Sequence, residues 1–302
     1  MTRFVLLFGA GASYGSDTSG TPPLGDGLFE ALRQFNPGGW GALPQTLASQ
    51  FRSDFEAGMV ELSRLNSHAM PPLQRAMAAY FFNFVPRTTN LYFALARKIR
   101  SSHWEGALAT LNYERLLEIS LTHAGIQPVV GQANPSDNKI ELCLPHGCCH
   151  IFCEGVRASG VGVSFSGVGI TSDGPVTVIA DPTDYQNRII GDAFPPVMSY
   201  FEPQKTTTSG VSFIRGQRDR WRQLVESAEI VGLVGVKLRV SDLHIWEPVA
   251  RTSAKVIYCS GKSGGAEFES WSRQTRPDAK DKVLYGYFQE SFDALCYELA
   301  VT

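Results

Sequence analysis

Phe4-Val5-Leu6-Leu7-Phe8-Gly9-Ala10-Gly11-Ala12-Ser13 is the stretch that decides the fold. Five apolar residues with no polar alternation read as a strand buried on both faces, the signature of a parallel sheet covered by helices. The strand breaks at once into a glycine turn. In α/β proteins such a turn brings backbone N–H groups against a phosphate. Asn112 follows the apolar run Ala107 to Leu111, and His146 follows Lys139 to Leu144. Each therefore sits at a strand end, where ligands bind in open α/β sheets. Together the three segments predict a nucleotide pocket with chemistry in it.

Composition limits the partners. With 302 residues, 43% of them apolar, the chain can bury one large core. A net charge of −2 gives no electrostatic case for a nucleic-acid groove or an anionic membrane face. The basic run Arg215 to Arg222 includes Asp219 and reads as a solvated helix start. No apolar run is long enough to span a bilayer. Arg3, the apolar run and Ala10-Gly11-Ala12 mimic a signal peptide, but the run falls short of the usual h-region of about 7–15 residues. Strand one of a cytoplasmic protein is the expectation.

Four of the six cysteines, Cys143, Cys148, Cys149 and Cys153, interleave with His146 and His150. Zinc sites usually come as two separated C-x-x-C pairs. No such pair occurs here, so the cysteines read as small buried thiols in a core strand pair, and no metal is expected.

Beyond the glycine turn, residues 15–25 form a Gly/Ser/Thr/Pro-rich loop, and Leu28 to Phe35 is helical. Leu47, Phe51, Phe55, Met59, Leu62 and Leu65 recur at spacings of three and four, which predicts one helix with an apolar face. Leu73 to Phe84 and Leu91 to Ile99 repeat the pattern. A helical insertion at about 37–104 thus separates strand one from strand two. Tyr113 to His123 reads as a helix. Residues 150–215 read as β- and loop-rich, with Asp181 to Lys205 a long loop carrying four prolines. Gln217 to Ala228 is a helix, Glu229 to Val234 a strand ending at Gly235, and Ser241-Asp242 the cap of the next helix. Lys255 to Cys259 is the last strand, and Val283 to Leu299 the closing helix. The fold class is α/β: a Rossmann-like, mostly parallel sheet flanked by helices, in a single catalytic domain over residues 1–302.

A dinucleotide dehydrogenase needs a short βαβ unit with an acidic residue about 20 positions past its third glycine. Tyr14 stands at that third position, and Glu30 lies within a helix. Hydride transfer is therefore disfavoured.

Four segments align in order: Gly-Ala-Gly-Ala-Ser (9–13), Ala-Thr-Leu-Asn-Tyr-Glu-Arg-Leu-Leu-Glu (109–118), Leu-Pro-His-Gly (144–147) and Val-Gly-Leu-Val-Gly-Val-Lys-Leu-Arg-Val-Ser-Asp (231–242). The set resembles the sirtuin superfamily over nearly the whole chain, and more closely its prokaryotic sirtuin-like branch in anti-phage defence. The zinc ribbon of protein-deacylating sirtuins is absent. Glu114 stands where aspartate is usual and is given no catalytic role, and Lys237 stands where serine is usual. The resemblance implies NAD+ hydrolysis at the nicotinamide–ribose bond, giving ADP-ribose and nicotinamide. It also implies an antiviral role, with a homo-oligomer or a separately encoded ATPase- or nuclease-like sensor as partner. The alternatives are an NAD-dependent protein deacylase and a non-catalytic NAD or ADP-ribose sensor. Asn112 and His146 become the catalytic pair at a pocket rim. Gly9, Ala10, Gly11, Ala12, Ser13, Thr110, Gly235 and Asp242 become the NAD-binding set.

The chemistry fits those residue types. Breaking the glycosidic bond develops positive charge on the ribose. A neutral amide can hold a ribose hydroxyl or a water without opposing that charge, and a histidine can accept a proton near neutral pH.

Overall fold

A computed structural model describes residues 3–66, 69–102, 104–131, 138–154, 172–199 and 208–301. The chain begins with β1 (Phe4–Phe8), α1 (Ala10–Tyr14), α2 (Gly25–Phe35), α3 (Gln45–Ser53), α4 (Phe55–Leu65), α5 (Met70–Phe82) and α6 (Leu91–Ser102). Then come β2 (Gly106–Thr110), α7 (Leu116–His123), β3 (Gln127–Val130), β4 (Lys139–Cys143), β5 (Ile151–Cys153), β6 (Val176–Val178) and α8 (Pro182–Gly191). It ends with α9 (Val211–Ser227), β7 (Ile230–Val234), α10 (Leu243–Arg251), β8 (Lys255–Ser260), α11 (Lys262–Thr275), β9 (Lys282–Tyr285) and α12 (Phe288–Glu298).

The chain divides into two compact units. The first comprises Met1–Pro22, Phe84–Pro145 and Gln217–Thr302. It holds a seven-stranded sheet in the order β3-β4-β2-β1-β7-β8-β9, with every pairing parallel. This is the Rossmann-like α/β sheet read from the first strand. β1 lies between β2 and β7, and Phe8 is level with both Thr110 and Val234. Gly9, Leu111 and Gly235 therefore leave the sheet together at its C-terminal edge. The chain goes to one side of β1 for β2 and to the other for β7, which makes this edge the topological switch point. All of β1 is buried, as a strand covered on both faces must be. On one face Trp221, Trp246 and Phe268 pack against the sheet, with the Phe268 ring stacked at 4.2 Å on Tyr258 of β8.

The second unit comprises Pro23–Asn83 and His146–Gly216. Its core is aromatic: the Phe29 and Phe51 rings stack at 5.0 Å, Trp40 meets Phe51 edge-on at 5.4 Å, and Trp40 Nε1 donates to Leu73 O at 3.0 Å. An antiparallel pair, β5 and β6, lies beside α8, with Tyr185 against Phe152 and Phe82.

Several elements differ from the sequence reading. The single helix expected over 47–65 is two, because Asp54 adopts an extended conformation and its carboxylate caps α4, accepting from Glu56 N and Ala57 N. The long loop expected over 181–205 contains α8, started by the Asp181 side chain at its N-cap and by Pro182 at its first position. Residues 200–205 of that stretch lie outside the described residues, as do 206–207 and 155–171. The closing helix expected over 283–299 is β9 followed by α12. β9 is a four-residue edge strand with only Leu284 buried, too short to signal itself. β3 and α11 were not anticipated. β3 is an edge strand carrying Pro128, tolerated there because an edge leaves N–H groups unpaired. α11 buries only Gly265, Phe268 and Ser272, too narrow a stripe to read as periodic. Among the described residues no helix is long and apolar enough to cross a membrane.

Candidate active site

The turn after β1 and the turn after β7 are in backbone contact. Gly9 N–H donates to Val234 O at 2.9 Å and Gly11 N–H to Gly235 O at 3.0 Å. A Cβ on Gly9 would come within 2.6 Å of Gly235 O, and one on Gly235 would overlap Ala12 N. Gly235 also has a φ of +61°, a conformation that side chains disfavour. These glycines are thus required for the two turns to meet. Ala12 N–H is spent as well, on Gly9 O at 2.9 Å. Ala10 and Gly11 form the accessible rim of the turn, whereas Ala12 is fully buried.

Ser13 points inward, fully buried at the centre of a polar cluster. Its Oγ lies 2.5 Å from Glu114 Oε1, 3.0 Å from Tyr92 OH and 2.8 Å from Asn112 Nδ2. A hydroxyl has one donor and two acceptor sites. Ser13 therefore accepts from Asn112 and Tyr92 and donates to Glu114. Tyr92 is set by its own helix start, where Asn90 Oδ1 accepts from Tyr92 N at 2.9 Å and Asn90 Nδ2 donates to Ser16 Oγ at 2.9 Å. Glu114 Oε2 accepts the N–H of Leu116, the first residue of α7, at 2.5 Å.

Asn112 is buried rather than rim-exposed, at 8% exposure. Its backbone N–H donates to Thr110 Oγ1 at 3.1 Å, and its Nδ2 donates to Gly9 O at 3.1 Å as well as to Ser13. A backbone carbonyl can only accept, so the contact with Gly9 O fixes which way the amide faces. Thr110 is buried too, and its hydroxyl donates to Phe8 O at 3.4 Å. Both residues tie the end of β2 to the end of β1.

Burial pushes the Glu114 carboxyl above its ordinary range, and hydrogen bonds from Ser13, Leu116 N–H and Asn112 only partly oppose this. Burial and then the Glu114 charge push the Tyr92 hydroxyl well up. The structure thus brings Glu114 and Tyr92 into the cluster, although the sequence reading gave neither a role. The only sequence signal for Glu114 was a carboxylate two positions past Asn112. Tyr92 carried none, lying on a helix remote in sequence.

The remaining candidates lie outside this cluster. Asp242 sits at the N-cap of α10, where its backbone carbonyl accepts from Ile245 and Trp246. Asp242 and Tyr113 act electrostatically on Arg218, whose guanidinium is held below its ordinary value by burial and donates from Nε to Pro145 O at 3.3 Å. Arg218 belongs to the run expected to be a solvated helix start. That run lies inside α9 and not at its start, and in it Arg220 pairs with Glu141 at 2.5 and 2.8 Å, so one face of it is used in packing. His146 is the first residue of the second unit and is buried. Its carbonyl accepts from Ser199 N at 2.9 Å.

The cysteines do not all lie in a strand pair. Cys143 is in β4, where burial raises its thiol pKa, and Cys153 ends β5. Cys148 and Cys149 lie in the turn between, because Gly147 adopts a φ of +76° and turns the chain out of extended conformation.

No protein-family model matches the chain, and no curated protein matches it. Among solved structures it is similar to a Sir2 homologue mutant in complex with ADP-ribose, at 17% identity and a TM-score of 0.49, covering 99% of this chain and 92% of that one. A Sir2 homologue–NAD complex gives 17% identity and 0.46, covering 99% and 91%. Sir2 bound to an acetylated peptide gives 13% and 0.45, covering 99% and 94%. At these TM-scores the fold and the site rest on the chain's own geometry.

Proposed function

We propose that this chain hydrolyses NAD+ at the nicotinamide–ribose bond, releasing nicotinamide and ADP-ribose, as the NAD-depleting effector of a bacterial antiviral system. The observation that carries the reading is Asn112: a neutral amide held by Gly9 O and Ser13 Oγ, at the sheet edge where an open α/β fold takes its nucleotide. Both contacts use Nδ2, so the carboxamide oxygen is the end that would accept from a ribose hydroxyl or hold the attacking water. Being uncharged, it stabilises that group while positive charge grows on the ribose.

In the reaction the C1′–N bond breaks with its electron pair leaving on nicotinamide, the water oxygen bonds to C1′, and the water proton passes to a base, the role the resemblance gives His146. The diphosphate would lie over the accessible rim of the glycine turn, Ala10 and Gly11, with Gly235 and Asp242 serving the rest of the nucleotide. A homo-oligomer or a separate sensor would hold such a toxic activity silent until triggered.

The test is to incubate the purified chain with NAD+, with and without an acetylated peptide, and to measure nicotinamide. Peptide-independent release is expected. Asn112→Ala and His146→Ala should each lower turnover by roughly 10²-fold or more, with NAD+ binding less affected. Because Asn112 is buried, its alanine variant should also lose about 1–3 kcal/mol of stability, so turnover is read on protein shown to be folded. Release that requires the peptide would overturn the reading in favour of a deacylase. Binding without release would favour a sensor.

A further inference from the structure

We propose that the second unit binds one zinc ion through Cys148, Cys149 and His150, a site independent of the proposed hydrolase activity. The ligand atoms of these three consecutive residues all lie within 4.8 Å of one another, and the residues are buried, at 0%, 0% and 4% exposure. His150 Nδ1 is 3.1 Å from Cys148 Sγ. Zinc bonds sulfur at about 2.3 Å and imidazole nitrogen at about 2.0 Å. A tetrahedral ion therefore needs its ligand atoms roughly 3.3–3.8 Å apart; the Cys148–His150 distance lies just below that range and no pair exceeds 4.8 Å.

A turn achieves what spaced C-x-x-C pairs achieve elsewhere. Gly147, at a φ of +76°, directs the chain into the turn, and a Cβ there would overlap Val197 O. The backbone is then clamped from several sides. Cys148 N–H donates to Val197 O at 2.9 Å, Val197 N–H to Ile151 O at 2.7 Å, Ile151 N–H to Cys148 O at 3.3 Å, and Ile179 N–H to His150 O at 2.9 Å. Ligands on so constrained a backbone need little reorganisation to close on an ion. Thiolate and imidazole together select a thiophilic cation rather than magnesium or calcium.

Cys153 is the obvious fourth candidate, but it is only half-buried and its Sγ accepts the Ser172 hydroxyl at 3.4 Å. It lies outside the set, so among the described residues the site is Cys₂His, a set that leaves a fourth position for a water or another small ligand. Binding displaces the two thiol protons to solvent as the thiolates bond to the cation.

The experiment uses the full, unaltered chain, reduced and free of chelator, titrated with Co²⁺ as a spectroscopic probe and assayed for retained zinc. Expected are a single equivalent of metal, thiolate-to-cobalt charge-transfer absorption in the near ultraviolet, and tetrahedral d–d bands in the visible that zinc abolishes. Cys148→Ser, Cys149→Ser and His150→Ala should each weaken binding by roughly tenfold or more, while Cys153→Ser should bind as the parent does. Failure of the unaltered chain to take up cobalt or zinc overturns the proposal without reference to any variant. Loss of binding in Cys153→Ser equal to that in Cys148→Ser overturns the three-ligand assignment.

Discussion

Two buried polar clusters in the first unit solve opposite problems. At the edge of the sheet, Arg276 and Asp281 are 2% and 6% exposed and form a closed ion pair. The Arg276 guanidinium also donates to Val249 O, Thr252 O and Ala254 O, and Asp281 accepts from Ser272 Oγ and Val256 N. Burial works to raise the Asp281 pKa, but these hydrogen bonds and the Arg276 charge outweigh it and hold it below its ordinary value. At the switch point, Glu114 is equally buried; Ser13, the Leu116 N–H and Asn112 bond to it, yet burial outweighs them and its pKa is raised. The first cluster stabilises the fold. The second retains a carboxyl that burial penalises, in the place where the strand ends converge, and a perturbed group in such a place is a functional-site candidate.

Arg276→Ala should have the largest effect. Removing one member of a buried pair leaves the other charge uncompensated, a loss of about 3–5 kcal/mol. Urea unfolding measures it. Arg276→Lys should recover only part, because an ammonium cannot reach three carbonyls and a carboxylate with a planar fork. A loss under about 1 kcal/mol for the alanine variant would mean that the pair is no staple.

Gly235→Ala comes next and concerns the switch point. Its left-handed conformation alone should cost about 1–2 kcal/mol, and the overlap with Ala12 N adds to that. Gly125 supplies the control, since its φ is +77° but nothing lies within 4 Å of an added Cβ. Gly125→Ala should therefore show the conformational cost alone. Equal losses at the two positions would show that the turns after β1 and β7 do not depend on close approach.

Legibility in the sequence followed the same division. The central strands could be read because each is a run of apolar residues ending in a glycine or a polar residue, and burial on both faces demands that pattern. Asn112 could be read because it follows such a run. The edge strands β3 and β9 could not, since an edge strand needs few apolar residues. α8 was hidden by prolines that suggest a loop, although Pro182 at a helix start is favourable. The roles of Ser13, Tyr92 and Glu114 were not legible either. They depend on contacts between α1, α6 and the turn after β2, with Tyr92 and Glu114 lying 79 and 101 positions from Ser13 along the chain, and no local pattern encodes such a meeting.

The smallest effect expected is the most diagnostic of the second cluster. An unfolded glutamate titrates near its ordinary 4.5, and in the folded chain Glu114 keeps its proton to higher pH. Stability contributed by Glu114 is therefore complete below that ordinary value and declines as pH rises through the folded one. Asp281 has the opposite sign, since its contribution is present above the ordinary aspartate value of 3.8 and is lost as pH falls through its lower folded value. Glu114→Gln is neutral at every pH. Its side-chain oxygen can still accept from Leu116 N–H, and its amide can donate to the Ser13 hydroxyl. The variant should match the parent in acid and gain on it steadily towards neutrality, as followed by urea unfolding at a series of pH values. Parallel stability curves for the two proteins would mean that Glu114 is ionised at no cost. The switch point would then differ from the Arg276–Asp281 cluster in composition but not in energetics.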